Sequence, residues 1–474
     1  MQFRFAFCIC LGCSLSMLAP AEENRALVDA AEKKDWQLVQ RLLKDPTTNV
    51  NQTQADRMTA LHWAAYWSDA NAVRILLGTS IPRDEANLYG VTPLALACEN
   101  GNAEIVRLLV KAGANIHYEL PGKQTLLMTA ARGGKADTVA ILVEAGADVL
   151  GTDRSGQTPL MWAAAAGSAE VVRLLIRHGA DPNAATKIGF TANLFACREG
   201  NWPVVQALLE SGVDVNATIS PDKNYERAPR KGMSGLMLAI ESAHYELAIR
   251  LVDAGADPND QRSGLTPLHS LCWVRRAKVG DNPEGDPPPR GSGNLTALRF
   301  AREIVKRGAD VNRSLERGDG GRAQMKPRGS TPFLYASRTA DLPLMKTLLE
   351  LGADPNIGNE DDCKPIQAAA GVGVTAVGEE PGTVVEVIDV LQYLIGLGAD
   401  VNSVDKNRET AMHGAAYRNY PEVVSFLAKQ GADPKVWNNK NKYGWTPTMI
   451  AQGKRPGSFK PSPETIAALE NAMK

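Results

Sequence analysis

Between Thr158 and Asn183 the chain reads TPLMWAAAAGSAEVVRLLIRHGADPN. Small and apolar residues fill the first third, a Gly-Ser break follows, and then Val171, Val172, Leu174 and Leu175 recur at helical spacing. The pattern predicts two short helices, one through Met161–Ala166 and one over about 169–177. Thr158 suits the N-cap of the first, because its hydroxyl can accept from an otherwise unpaired backbone N–H. Pro159 suits the first helical position, where a missing N–H costs nothing. Gly167 ends the first helix, and Gly179 stands just past the second, where a left-handed residue is needed. The flanking ADPN and RSGQ stretches carry turn chemistry. Helices this short are marginal alone, so their apolar faces need a neighbour.

The neighbour is supplied by repetition. The capping Thr recurs at Thr59, Thr92, Thr125, Thr158 and Thr191, at intervals of 33 residues. Further starts lie at Ser234, Thr266, Thr331, Lys364, Thr410 and Thr446. The closing GAD or a variant stands at 113–115, 146–148, 179–181, 212–214, 255–257, 308–310, 352–354, 398–400 and 431–433. Residues 25–43 align with 59–77, so the array begins almost at once after residue 24. A 33-residue period with a T-P-L-H-type start and a G-A-D-V/P-N end resembles the ankyrin repeat.

The resemblance implies an all-α repeat solenoid of about twelve helix-turn-helix units. In such an array β-hairpin fingers and inner helices form a concave side, and outer helices form the back. It also implies that His62, His269 and His413, which follow Thr-x-Leu or Thr-x-Met, are structural and bond within the repeat turn. The expected organisation is one continuous solenoid over 22–474, regular to about residue 216. A degraded, polar cap is expected over about 438–474, with a helix start at Thr446-Pro447 and a last helix after Pro463.

The first 21 residues break the pattern. Arg4, an apolar run and the small-x-small site Ala19-Pro20-Ala21 read as a secretory signal cut before Glu22. The run is short for a membrane span. An exported protein, periplasmic or secreted and bacterial, is the expectation, with a lipid anchor at CLGC the weaker reading. Three of the seven cysteines lie in that segment. Cys98, Cys197 and Cys272 occupy the second small position of inner helices in non-adjacent repeats. At the usual helix spacing their sulfurs lie about 20 Å or more apart, too far for a disulfide. Cys363 precedes a helix start, a position open to solvent.

A net charge of −1 argues against a general nucleic-acid binder. The sequence carries no G-x-S-x-G, H-E-x-x-H or Walker loop, and GVGVTA (371–376) follows a helical stretch where a nucleotide fingerprint needs a strand. The three repeated histidines lie repeats apart and cannot share a metal. No cofactor, metal or catalytic residue is assigned.

The second half carries four insertions. Residues 217–232 and 313–329 fall in finger positions, and about 275–294 and 371–383 fall between paired helices. Both finger insertions are net positive, through Lys223, Arg227, Arg230 and Lys231 in one and Arg313, Arg317, Arg322, Lys326 and Arg328 in the other. The aromatics Trp63, Tyr66 and Trp67 crowd one inner helix. Tyr66 and Trp67 follow the Ala-Ala pair and are weighted towards the surface. Trp273 is one of the groove's apolar anchors beside the basic insertions. Tyr89, Arg154, Lys187, Arg262, Lys406 and Tyr443 are expected at finger tips.

These features predict a non-catalytic, monomeric protein-binding scaffold or adaptor without a membrane span after signal removal. Its candidate partner-binding set is Tyr66, Trp67, Tyr89, Arg154, Lys187, Arg227, Arg230, Lys231, Arg262, Trp273, Arg322, Lys326 and Arg328, and the favoured partner is another protein with an acidic patch. An enzyme with a site in the irregular half is the alternative; it requires three titratable groups gathered beside the inserted loops. A structural envelope spacer is another, and it requires no aromatics exposed in the groove.

Overall fold

The structure, a computed structural model, describes residues 25–221, 231–277, 289–378, 380–455 and 461–474. The proposed signal, Arg227 and Arg230 lie outside the described residues. The chain falls into two compact units, Met1–Arg154 and Ser155–Lys474.

In the first unit the helices come in pairs: Ala26–Glu32 with Trp36–Leu42, Ala60–Tyr66 with Ala70–Leu77, Pro93–Asn100 with Ala103–Lys111, and Leu126–Gly133 with Ala136–Glu144. The first helix of each pair packs on the first helix of the next, and from Ala70–Leu77 onward the second helices do likewise. This gives an inner and an outer layer. The second unit repeats the scheme from Pro159–Ala166 and Ala169–Arg177 to Pro447–Ala451 and Pro463–Ala472.

The local chemistry is that of the opening stretch. Thr158 caps Pro159–Ala166 by accepting from the Met161 N–H, Pro159 sits in the first turn, and Gly167 closes the helix at φ 81°. Ser168 then caps Ala169–Arg177, which buries Val171, Val172, Leu174 and Leu175. Each such aliphatic contributes about 1.5–3 kcal/mol when fully buried, which short helices need from packing. Ala163, Ala164, Ala196, Cys197, Ala368, Ala369, Ala415 and Ala416 are fully buried on the inner helices. Small side chains there let successive inner helices pack closely.

Side-chain amides fasten consecutive repeats in the second unit. Asn216 donates 3.0 Å to the Gly255 carbonyl and accepts 2.9 Å from the Asp257 N–H. Asn259 does the same with Gly308 and Asp310, Asn312 with Gly352 and Asp354, and Asn402 with Gly431 and Asp433. The Asn of the closing D-x-N therefore satisfies both a carbonyl and an N–H at the matching turn of the next repeat.

Extended structure is sparse among the described residues. Glu119–Leu120 and Gln124–Thr125 pair antiparallel in the first unit. Ala185 with Thr191, and Thr218 with Ser234, form single bridges in the second. A short helix, Pro434–Trp437, follows the closing motif at 431–433, with Asp433 as its N-cap and Trp437 buried.

Candidate partner-binding surfaces

Trp63, Tyr66 and Trp67 form one aromatic cluster in the first unit. The Tyr66 and Trp67 rings meet edge-on at 4.7 Å, and Trp63 stacks on Trp67 at 6.1 Å. Polar atoms of the neighbouring repeat tie the cluster down: Trp67 Nε1 donates 3.0 Å to the Glu32 carbonyl, and Trp63 Nε1 donates 2.9 Å to Gln54. Lys34 Nζ stands 3.7 Å above the Trp67 ring, within cation–π range. Tyr66 is 40% exposed, while Trp63 and Trp67 are half-buried. Tyr89, 61% exposed, stands beside exposed Leu88 at a turn whose Leu88 N–H bonds to the Asp56 carbonyl. Arg154 is exposed.

In the second unit Lys187, Lys231, Arg262, Arg322 and Arg328 are exposed, and Lys326 is half-exposed. Several already have acidic partners. Lys326 Nζ lies 3.0 Å from Asp361 Oδ1, Arg328 3.3 Å from Asp319, and Arg262 2.8 Å from Asp260. The Asp361 carboxylate holds the Lys326 ammonium above the usual lysine range. Arg322 lies over the Trp445 ring at 5.9 Å. The 313–329 insertion is a packed element: Leu315, Ala323 and Met325 are buried, and Leu315 pairs through its backbone with Gly329 and Ser330.

The other packed insertion is the segment joining Pro365–Ala370 to Val384–Gly396, called the strap here. Its root lies on the helix Ala411–Arg418: a Cβ on Gly414 would come within 2.8 Å of the Gly371 and Val372 amide nitrogens. Val372 and Val374 are buried. Four side chains hold its acceptors. Arg455 Nη1 donates to the Val374 carbonyl at 3.4 Å, Arg418 Nη1 to Pro381 at 3.1 Å, Tyr420 Oη to Gly382 at 3.0 Å, and Arg338 Nη2 to the Glu380 carboxylate at 3.2 Å. Arg418 also donates to the Arg338 carbonyl, fixing one arginine by the next. Burial pushes the Arg418 guanidinium down from its ordinary range and Arg455 to about 10. Half-buried Trp273 stands edge-on to Tyr335 at 5.9 Å, with Arg338 5.9 Å from its ring. The sequence pattern did not single out Arg338, Arg418 or Arg455, because each ends or follows an inner helix where an exposed cation is ordinary. The strap is what buries them.

The repeated histidines His62, His269 and His413 all bond the capping Thr of their own repeat turn, and two of them reach the next repeat as well. His62 Nδ1 lies 2.8 Å from Thr59 Oγ1, and Nε2 lies 3.0 Å from the Val91 carbonyl of the following repeat. A carbonyl can only accept, so Nε2 carries the proton and Nδ1 accepts from Thr59. His269 repeats this with Thr266 and the Ser330 carbonyl. The bond thus reaches beyond its own turn and ties one repeat to the next.

Cys98, Cys197 and Cys272 are buried in inner helices, where burial pushes their thiols up, Cys197 to about 12. Cys363 corrects the expectation of solvent access. It is 1% exposed, because Asn359 Oδ1 accepts its N–H and folds the turn over it.

A family model described as "Ankyrin repeats (3 copies)" matches residues 27–120, 127–219 and 385–458, and one described as "Ankyrin repeat" matches 328–360. The chain belongs to the ankyrin-repeat family. Relatives with ankyrin repeats align over parts of it. A 62-residue stretch is 44% identical to "Ankyrin repeat, SAM and basic leucine zipper domain-containing protein 1" of Colobus guereza, covering 13% of each chain. A 210-residue stretch is 28% identical to "Neurogenic locus notch homolog protein 1" of Xenopus tropicalis, covering 40% of this chain and 8% of that protein. The aligned stretches thus span 13% or less of these two relatives' lengths. The human ASB11 ankyrin repeat domain is 23% identical, with 45% of this chain and 90% of that one covered and a TM-score of 0.39.

The matched segments leave 220–327 and 361–384 outside. The strap and the loop that packs on it therefore lie almost wholly outside the ankyrin-repeat matches. Among the described residues, no group of three His, Cys, Asp or Glu is placed to hold a metal ion, and no helix is long and apolar enough to cross a membrane.

Proposed function

We propose that this ankyrin-repeat chain is a non-catalytic, monomeric scaffold of about twelve helix-turn-helix units with hairpin fingers, and that it binds another protein in an exported compartment. The observation that carries the binding reading is the Trp63–Tyr66–Trp67 cluster. The indole N–H groups of Trp63 and Trp67 are already bonded within the fold, and Tyr66 keeps 40% of its surface in water. Rigid aromatics held in this way bind with little ordering cost. Tyr89 and Arg154 are proposed contacts in the same unit. In the second unit the proposed contacts are Lys187, Arg227, Arg230, Lys231, Arg262, Trp273, Arg322, Lys326 and Arg328, with an acidic protein surface as their partner.

Export rests on residues 1–21 alone. Fractionation of producing cells with N-terminal sequencing tests it: a chain beginning at Glu22 outside the cytoplasm supports export, and an uncut cytoplasmic chain refutes it. Binding is tested by affinity capture with wild type and Tyr66→Ala in parallel. A discrete protein retained by wild type and lost with Tyr66→Ala is the expected result. Equal retention by both removes the cluster from the interface.

A further inference from the structure

Two turns of the second unit are built alike, and the one between them departs from the pattern. Asn359 Oδ1 accepts the N–H groups of Asp361 and Cys363 at 3.0 and 2.9 Å, and Asn441 Oδ1 accepts those of Tyr443 and Trp445 at 3.0 Å each. In both, the amide nitrogen donates back towards the preceding repeat, from Asn359 to the Lys326 carbonyl at 2.9 Å and from Asn441 to Glu409 Oε1 at 2.9 Å. The turn between them carries Asp405 in the same place. Its Oδ1 accepts the Glu409 N–H at 2.7 Å, but its Oδ2 is buried without a hydrogen-bond partner. The neighbouring turns place a donor there, and an ionised carboxylate has none. Asp260, in an earlier turn, is answered by Arg262 at 2.8 Å; among the described residues no cation pairs with Asp405.

The surroundings oppose a charge on Asp405. Asp405 and Glu409 are 5% and 2% exposed, and Glu409 Oε1 also accepts from the Tyr417 hydroxyl at 2.7 Å. The preceding turn brings the Asp361 carboxylate, already held by Lys326 and Asn407 at 3.0 Å each, and the buried Cys363 thiol. The helix Ala411–Arg418 brings His413, which burial pushes down to about 4. The last finger brings Tyr443 and Lys442, whose ammonium reaches Asn407. Arg455 lies 5.2 Å from the Tyr417 ring, Lys406 donates to the Glu360 carbonyl, and Arg408 is exposed. Burial therefore pushes the Asp405 carboxyl up to about 7, although the Glu409 N–H opposes the shift, and burial pushes Glu409 up as well.

We propose that Asp405 is a proton-operated latch in the last repeats: with a proton on Oδ2 it is the oxygen counterpart of Asn359 and Asn441 and holds the turns together, and when that proton leaves, the repeat formed by Ala411–Arg418 and Pro421–Lys429 loosens. The latch is independent of where a partner binds. Its sign follows from comparing the two states. An unfolded aspartate gives up its proton near 3.9. Between about 4 and 7 the folded turn thus keeps a proton that the opened turn has lost. The stabilisation is whole below about pH 4, shrinks as pH rises, and is gone above about 7. It runs opposite to the effect of His269 and His413, which burial keeps neutral.

The test compares native hydrogen exchange of the full chain with that of Asp405→Asn, amide by amide at each pH, so that intrinsic exchange and the histidines cancel. For the amides of Ala411–Arg418, the ratio of the wild-type rate to the variant's should be flat below about pH 4. It should then rise about tenfold per pH unit between about 5 and 6.5. A second measurement uses wild type labelled with 13C at its aspartate carboxyls. The signal that Asp405→Asn removes should titrate above about pH 6. A ratio that is flat throughout, a ratio that falls as pH rises, or a signal that titrates below about pH 5 overturns the proposal. A variant that does not fold overturns it as well, because Asn is the residue that the protonated side chain is held to imitate.

Discussion

A Cβ on Gly373 would lie 2.1 Å from the Met325 amide nitrogen. Two insertions far apart in sequence thus meet backbone to backbone, and only a residue without a side chain fits between them. Gly373 is also held at φ 80°, a region other residues enter at a cost. Gly373→Ala is expected to destabilise the second unit by roughly 2–4 kcal/mol. Gly264, at φ 94° with nothing within 4 Å, is the control: Gly264→Ala should cost only about 1–2 kcal/mol. Denaturant midpoints of the two variants check this, and equal losses would show that the strap contact is loose.

Arg275 and Asp341 form a bidentate pair at 2.6 and 2.9 Å, and the Asp341 side chain is fully buried. Asp341 also caps Leu342–Glu350 through the Leu344 N–H. Asp341→Ala should cost about 3–5 kcal/mol, since it strands a partly buried guanidinium and removes the cap. Asp341→Asn keeps the cap and should cost less. A double-mutant cycle with Arg275→Met is expected to show positive coupling. Additive losses would contradict the pairing.

Burial pushes the His269 imidazole down to about 3, although the Ser330 carbonyl opposes the shift. An unfolded histidine titrates near 6.5, so between 6.5 and 3 the unfolded chain takes a proton that the folded one refuses. Stability is therefore lost as pH falls through 6.5. The loss from this residue between pH 7 and pH 5 is on the order of 2 kcal/mol. The chain holds its own non-titrating alternative: Gln367 accepts 2.7 Å from the Lys364 N–H and donates 2.7 Å to the Glu409 carbonyl. His269→Gln should therefore fold at pH 7 and lose about that much less stability at pH 5. Parallel pH profiles for the two proteins would refute the buried neutral imidazole.

All four cysteines of the described chain are buried. They are expected to resist a maleimide in the native protein and to react as four thiols after unfolding without reductant. Fast native labelling of Cys363 would contradict its enclosed turn. Two missing thiols would reveal a disulfide.

The paired helices were legible because their signals are local: a Thr cap, Pro in the first turn, and Val and Leu at helical spacing between Ser168 and Arg177. The last helix, Pro463–Ala472, follows from the same signals after the Pro/Lys break. What escaped depends on side-chain partners that the helical pattern does not show. Cys363 looks exposed until Asn359 bonds its turn closed. The closing motif at 431–433 carried no sign that Asp433 caps a short helix whose Trp437 finds a buried site. GVGVTAVGEEPGT has the glycine-rich, polar composition of an idle loop. Its burial comes from Arg338, Arg418 and Arg455, contributed by three other repeats. The aromatic cluster was visible as a sequence run, but the division between exposed Tyr66 and half-buried Trp67 required the Glu32 contact.

Site-specific photo-cross-linking in the producing cells tests the scaffold reading most directly. A photoreactive residue is placed at Tyr66, at Tyr89, and at the exposed outer-helix position Lys111. The account predicts one discrete protein adduct at Tyr66 and Tyr89 and none at Lys111. No adduct at the two tyrosines, or the same adduct pattern at Lys111, would contradict a partner-binding surface built on the aromatic cluster.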